Sequence, residues 1–336
     1  MKYLLINAFI IAVSISNSNV FAEATCEQIA SSIINSNAQI EAKNYSRPFK
    51  RDLNGYARFL GRSYDTKHSQ LKKGATVFDS GAGLGVAGLE DANNGLKVYA
   101  INAQDFWAEL KEAPLGVDYD GPASTIANLV EQFNISLKGL DIPKGKVWDH
   151  EKAKEVLKPS LNRVSGKIRR EIRARLFAFI EEKKEAGNFN YMVGFAEKRI
   201  PEIDGQADVI RDLYGAYFYS ADKLELLDLY YNKLKKNGQA FIRISTGEGH
   251  SAEAFIEKNG KKYMSFHAYL LENYPTIFSI EQVQQGNVLV IKKDPNIASL
   301  YLSDVFELNK NQTHMVKMNE TELPESWFSL KKKAKK

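Results

Sequence analysis

The run Asp79-Ser80-Gly81-Ala82-Gly83-Leu84-Gly85 sets alternating glycines behind a carboxylate. Glycine has no Cβ and tolerates left-handed backbone, so such a run lets amide groups come close to a ligand. The chemistry this suggests is the holding of a nucleotide-like cofactor. Gly83, Gly85 and Gly88 also satisfy G-x-G-x-x-G, the dinucleotide fingerprint, so one stretch fits two cofactors. Glycines serve tight turns as well, but here three alternate at the expected carboxyl end of a strand, where α/β proteins place ligands. Further along, Asp212 can orient or deprotonate an acceptor, or cap its own loop. Tyr214 and Tyr217 offer faces for a cationic amine, while Tyr217 and Tyr219 fit core packing equally well. His250, in Thr246-Gly247-Glu248-Gly249-His250-Ser251, is a general base or a solvated loop histidine. No His, Cys and carboxylate cluster has metal-site spacing, and no G-x-S-x-G elbow occurs, so metal and serine-hydrolase chemistry are not indicated.

The elements that must position these residues follow an α/β rhythm. Ala75 to Asp79 is a short apolar run meeting the glycine cluster, as a buried strand does. Val98 to Ile101 reads as a second strand, after room for one crossover helix. Residues 104–187 contain no convincing strand and read as a helical insertion. Its clearest helix, 161–184, sets Val164, Ile168, Ile172, Leu176 and Ile180 four apart. Strands at 191–195, 207–210 and 239–244 follow, with a helix over 220–236. A helix at 267–273 and a hairpin formed by 276–283 and 287–293 close the domain. Residues 23–73 read as a helical lead-in and 294–336 as a loosely ordered tail.

The glycine run matches the D-x-G-x-G-x-G of motif I in the class I S-adenosylmethionine-dependent methyltransferases. Phe195-Ala196-Glu197, Asp208-Val209-Ile210 and Leu234 to Ile242 are similar to the third-, fourth- and fifth-strand signatures of that superfamily. The resemblance covers residues 70–293 except the insertion. It implies a Rossmann-like methyltransferase fold, a mostly parallel sheet ending in an antiparallel hairpin, with S-adenosylmethionine as cofactor. By the same match Gly81, Gly83 and Gly85 wrap the amino-acid moiety of the cofactor, Asp79 helps fix its ammonium end, and Glu197 lies near the adenine. The carboxylate usual at the end of the second strand is replaced by Asn102, with Asp105 three residues on as a substitute if the loop bends. An Asn-Pro-Pro-Tyr signature is absent, so the acceptors that it marks are not indicated. Gly81 keeps the methyltransferase spacing, which favours the methyl donor over a nicotinamide dinucleotide.

Composition and charge bound the function further. The 336 residues, 44% hydrophobic and 26% charged, suit one decorated globular domain. Residues 1–22 combine Lys2, an apolar stretch and a small residue, Ala22, as an export signal peptide does. No later stretch has the roughly 20 apolar residues of a membrane helix. The single Cys26 excludes an internal disulfide. A net charge of +5 is mildly basic. The cluster Arg163, Lys167, Arg169, Arg170, Arg173 and Arg175 reads as a solvated helix face rather than a nucleic-acid site. The reading is therefore an exported methyltransferase acting on a small-molecule or protein acceptor. Two alternatives stand beside it: a non-catalytic interaction protein that keeps the fold, and an NAD-dependent oxidoreductase.

Overall fold

A computed structural model of the chain describes residues 52–113, 115, 122–140, 165–220, 223–244, 255–258, 261–283, 286–308 and 315–318. The leader, Cys26 and the terminal lysines lie outside them. The elements are α1 (Leu53–Ser69), β1 (Thr76–Ser80), α2 (Val86–Asn93), β2 (Lys97–Asn102), α3 (Phe106–Glu112), α4 (Pro122–Gln132), α5 (Gly166–Glu185) and β3 (Phe189–Val193). Next come α6 (Ala196–Arg199), β4 (Ala207–Asp212), α7 (Ala216–Tyr219), α8 (Lys223–Lys233) and β5 (Leu234–Ile244). The chain continues with β6 (Phe255–Lys258), β7 (Lys261–Ser265), α9 (Phe266–Asn273), β8 (Phe278–Val283), β9 (Gly286–Lys292), α10 (Leu302–Val305), β10 (Phe306–Leu308) and β11 (Met315–Met318).

Seven strands form one sheet in the order β3-β2-β1-β4-β5-β9-β8. The strands from β3 to β5 pair in parallel, and β9 pairs antiparallel with both β5 and β8. Strand order reverses at β1, which has β2 on one side and β4 on the other; α/β sheets bind ligands at such a switch point. This is the Rossmann-like methyltransferase fold, a parallel sheet closed by an antiparallel pair.

Side chains alternate between the two faces, as the pleat requires. Val77, Val209, Phe241 and Val290 point into a core shared with α1, α2, α4 and α5. Phe78, Ile210, Ile242 and Ile291 point into the opposite core, with α8 and α9. The same alternation sends Asp79, Arg211 and Arg243 to the first face, and Ser80 and Asp212 to the second. Between β2 and β3 the described residues form α3, α4 and α5, and Ile172, Leu176 and Ile180 are the buried stripe of α5.

Three boundaries differ from the sequence reading. The eighth helix ends at Lys233 and β5 begins at Leu234, with Asn237 at φ 68° and a register shift against β4. The third strand ends at Val193, and Gly194 and Phe195 lie beyond it. Part of the expected loose tail is built in: β10 and β11 join β6 and β7 in a four-stranded sheet, ordered β10-β11-β6-β7.

Candidate functional site

The first strand runs to Ser80, so Gly81 opens the loop at the switch point. Gly81, Gly83 and Gly85 all take left-handed conformations, with φ of 80°, 60° and 66°. Amides early in the loop are committed: Gly81 and Ala82 donate to Ile101 O, at 2.8 and 3.0 Å, and Gly85 donates to Ala82 O. Beyond them α2 begins, and its first intrahelical bond is Leu89 N to Gly85 O. Gly85, its N-cap, makes no side-chain cap bond, and the first turn holds no acidic residue. The positive end of α2 therefore lies beside the loop with no acidic side chain of its first turn against it, an arrangement that suits a carboxylate or phosphate oxygen. Added Cβ atoms on Gly85 and Gly88 would meet Phe189 at 3.2 Å, so these glycines also let α2 lie close on β2 and β3.

The side chains assigned to cofactor binding are all bonded within the chain. Asp79, expected to take the ammonium end, is completely buried: Tyr56 Oη donates to Oδ1 (2.7 Å) and Arg211 Nη2 to Oδ2 (2.9 Å). Arg211 also donates to Asp91 (2.8 Å) and Tyr64 Oη (2.9 Å), and His68 meets Asp91 at 2.7 Å. Burial works against the Arg211 charge, but Asp79, Tyr64 and Asp91 outweigh it and raise its pKa well above the usual value. Asp79 is therefore one member of a buried ionic cluster, on the face away from Ser80.

Asn102 Oδ1 accepts from Gly83 N (3.2 Å) and its Nδ2 donates to Gln104 O (2.8 Å), so it braces the glycine loop. Tyr191 Oη adds to the brace, donating to Gly83 O at 2.8 Å. Asp105 caps α3, its Oδ1 accepting from Ala108 N at 3.0 Å. Glu197, in α6, accepts from Ser220 Oγ. These bonds occupy oxygens of Asp79, Asp105 and Glu197 within the chain.

At the end of β4, Asp212 closes the loop that follows it. Its carboxylate accepts from Gly215 N (2.8 Å), Tyr217 N (2.7 Å) and Tyr230 Oη (2.7 Å). Burial pushes this carboxyl up to about 6, against the lowering effect of those bonds. Tyr217 is fully buried and offers no open face; Lys223 Nζ already stands 5.8 Å from its ring, and its Oη meets His267 Nε2 at 2.9 Å. Burial pushes His267 down to about 4. Tyr214 is the half-buried aromatic here, at φ 53°, with Arg243 Nε donating to its Oη at 3.3 Å. His250 and the side chain of Tyr219 lie outside the described residues. Among the described residues no group of three or more His, Cys, Asp or Glu is placed to hold a metal.

Sequence reasoning missed Arg211, Tyr56, Tyr64 and Tyr230. One signal was available: Arg211 interrupts a buried strand at a position whose period-2 neighbour, Val209, is apolar. The basic face of α5 was read as solvated. Lys167 and Arg170 are exposed as that reading expects and Arg163 lies outside the described residues, but Arg169, Arg173 and Arg175 are half-buried: Arg169 and Arg173 donate to Leu115 O (2.6 Å) and Ala113 O (2.8 Å), and Arg175 donates to Ser136 O and Lys138 O.

No protein-family model and no curated protein matches the chain. Among solved structures it is similar to an S-adenosylmethionine-dependent methyltransferase from Aquifex aeolicus, at 15% identity and TM-score 0.34, covering 74% of this chain and 96% of that one. It is similar to a TehB-like S-adenosylmethionine-dependent methyltransferase from Corynebacterium glutamicum, at 13% identity and TM-score 0.34, covering 76% and 100%. An rRNA methylase from Streptococcus thermophilus gives 12%, 0.34, 70% and 96%. By its own strand order and the place of its glycine loop, the chain has the Rossmann-like methyltransferase fold.

Proposed function

We propose that the chain is an S-adenosylmethionine-dependent methyltransferase whose donor site is the crevice between the Gly81–Gly85 loop and the end of β4. One observation carries this reading. A left-handed glycine loop leads from the switch-point strand into a helix N-terminus with no side-chain cap, inside a sheet of methyltransferase strand order. When bound, the donor supplies an electrophilic methyl group on a sulfonium. The amides at the start of α2 suit its carboxylate. Asn102 and Tyr191 keep the loop open in shape by holding Gly83 from both sides. Asp212 fixes the loop after β4, so that methyl transfer relies on proximity and alignment rather than on this carboxylate taking a proton. The acceptor belongs on the Tyr214 side, and small molecules and proteins are the classes to screen. Incubation with methyl-labelled donor and such a panel tests the proposal: label on an acceptor, lost in Gly83→Arg, supports it.

A second reading, a non-catalytic binding protein of the same fold, rests on a different observation. Asp79, Glu197 and Asp212 each have their carboxylates taken up by partners in the chain. Export, proposed from residues 1–22, favours it too, since the donor is made in the cytoplasm. Donor binding without turnover on any acceptor supports this reading over the first.

A further inference from the structure

Tyr230 Oη stands 2.6 Å from Ser80 Oγ and 2.7 Å from Asp212 Oδ2, and all three side chains are buried. A phenol carries one hydrogen, so it donates to one of these neighbours and accepts from the other. While Asp212 is ionised its carboxylate only accepts. Tyr230 then donates to Asp212, and Ser80 donates to Tyr230. The same Oδ2 accepts from Tyr217 N, and Oδ1 from Gly215 N. In this way Asp212 closes the turn after β4 and presses Gly215 onto the end of β1. The approach is so close that a Cβ on Gly215 would lie 2.0 Å from Ser80 O, and one on Gly81 would lie 2.1 Å from Gly215 Cα.

We propose that Ser80, Tyr230 and Asp212 form a proton-operated latch over the crevice between β1 and β4. A proton from solvent adds to Oδ2 of Asp212, and the new hydroxyl donates to Tyr230 Oη. The Tyr230 hydrogen turns to Ser80 Oγ, and the Ser80 hydrogen turns away. The protonated oxygen is then a poor acceptor, so the Tyr217 amide is released and the start of α7 loosens beside the turn. Gly215 N keeps its bond to Oδ1.

The surroundings favour proton uptake at mildly acid pH. Burial, aided by the like charge of Asp79 in β1, lifts the Asp212 carboxyl. Tyr217 of α7 and Tyr230 of α8 stay neutral, their pKa values raised by burial and then by Asp212 itself. Lys223 of α8 and His267 of α9 sit on the far side of Tyr217, and Glu197 of α6 acts on Tyr230. Arg211, the neighbour of Asp212 in β4, is bound to Asp79 and Asp91 on the opposite face. The latch operates whether or not the crevice takes S-adenosylmethionine.

Amide hydrogen exchange on the full chain tests it, at about pH 7.5 and about pH 5, with rates corrected for their intrinsic pH dependence. In the wild type, protection of the Tyr217 amide falls roughly tenfold on acidification, and that of Gly215 falls less. Asp212→Asn removes the pH dependence. Ser80→Ala leaves the Tyr230 hydrogen without its acceptor in the protonated state, so it moves the midpoint to lower pH. Unchanged protection of Tyr217 in the wild type, or a pH dependence that survives in Asp212→Asn, overturns the latch. If Asp212→Asn does not fold, Ser80→Ala decides: a midpoint equal to that of the wild type overturns it.

Discussion

Asp79 and Asp91 are both fully buried, and the Arg211 guanidinium binds one with each terminal nitrogen. The cluster also draws on α1, through Tyr56, Tyr64 and His68. Removing a buried cation leaves its anions uncompensated, which typically costs about 3–5 kcal/mol. Arg211→Met is therefore expected to lower unfolding free energy by about that amount in a urea titration. A loss under about 1 kcal/mol would mean the two carboxylates find other partners. The spacing of the glycine run announced a backbone path, and the backbone follows it. What the run did not announce was the fate of Asp79. A motif fixes where a carboxylate sits along the strand, whereas its partner comes from β4, distant in sequence. Asn102 was legible as a departure from the family pattern, but its bond to Gly83 was not.

The first helix illustrates the next scale. Gly61, at φ 86°, breaks α1, and the break is repaired from two distant strands. Glu281 of β8 accepts from Arg62 N (2.7 Å) and Ser63 N (3.1 Å), capping the second half. Arg243 of β5 donates to Phe59 O (3.0 Å). An added Cβ on Gly61 would meet Glu281 Oε1 at 2.6 Å, so the glycine supplies both the turn and the room for the cap. Loss of a helix cap costs about 0.5–2 kcal/mol, so Glu281→Ala is expected to lower the melting temperature by several degrees. The same change should raise exchange at Arg62 and Ser63 alone, which amide exchange reads directly. Sequence periodicity marked residues 23–73 as a helical lead-in, because apolar spacing is local. It could not reveal that the helix resumes after Gly61, since the group that restarts it lies over two hundred residues away. The β10 and β11 strands escaped notice for a similar reason: these three- and four-residue strands are held only by pairing, β10 with β11 and β11 with β6, which lies about sixty residues earlier.

At the scale of the whole molecule, Asp212 and His267 set opposite pH trends on one side of the sheet. Asp212 is raised from 3.8 to about 6, so between these values the folded chain holds a proton that the unfolded chain lacks. That contribution stabilises the fold as pH falls from 6 toward 4. His267 is lowered from 6.5 to about 4, so the unfolded chain takes the proton first, and stability falls over nearly the same range. Each is worth about 3 kcal/mol at full extent, and the two nearly cancel. Relative to the wild type, His267→Asn should gain stability on going from pH 6 to pH 4, and Asp212→Asn should lose it. Denaturation curves at both pH values check the pair, and equal slopes in both variants would contradict these assignments. The sheet itself was legible because βα alternation is a repeating local pattern. The α5 arginines were not, because their carbonyl partners at Ala113, Leu115, Ser136 and Lys138 exist only once the insertion packs.

Calorimetric titration of the wild type and Gly83→Arg with S-adenosylmethionine and with its demethylated product tests the donor site most directly. Saturable one-to-one binding is expected for the wild type, near or below about 100 μM, with the two ligands competing. Gly83→Arg should fold and bind neither. Absence of heat for both ligands at millimolar concentration, or equal binding by Gly83→Arg, would contradict a donor site in the glycine loop.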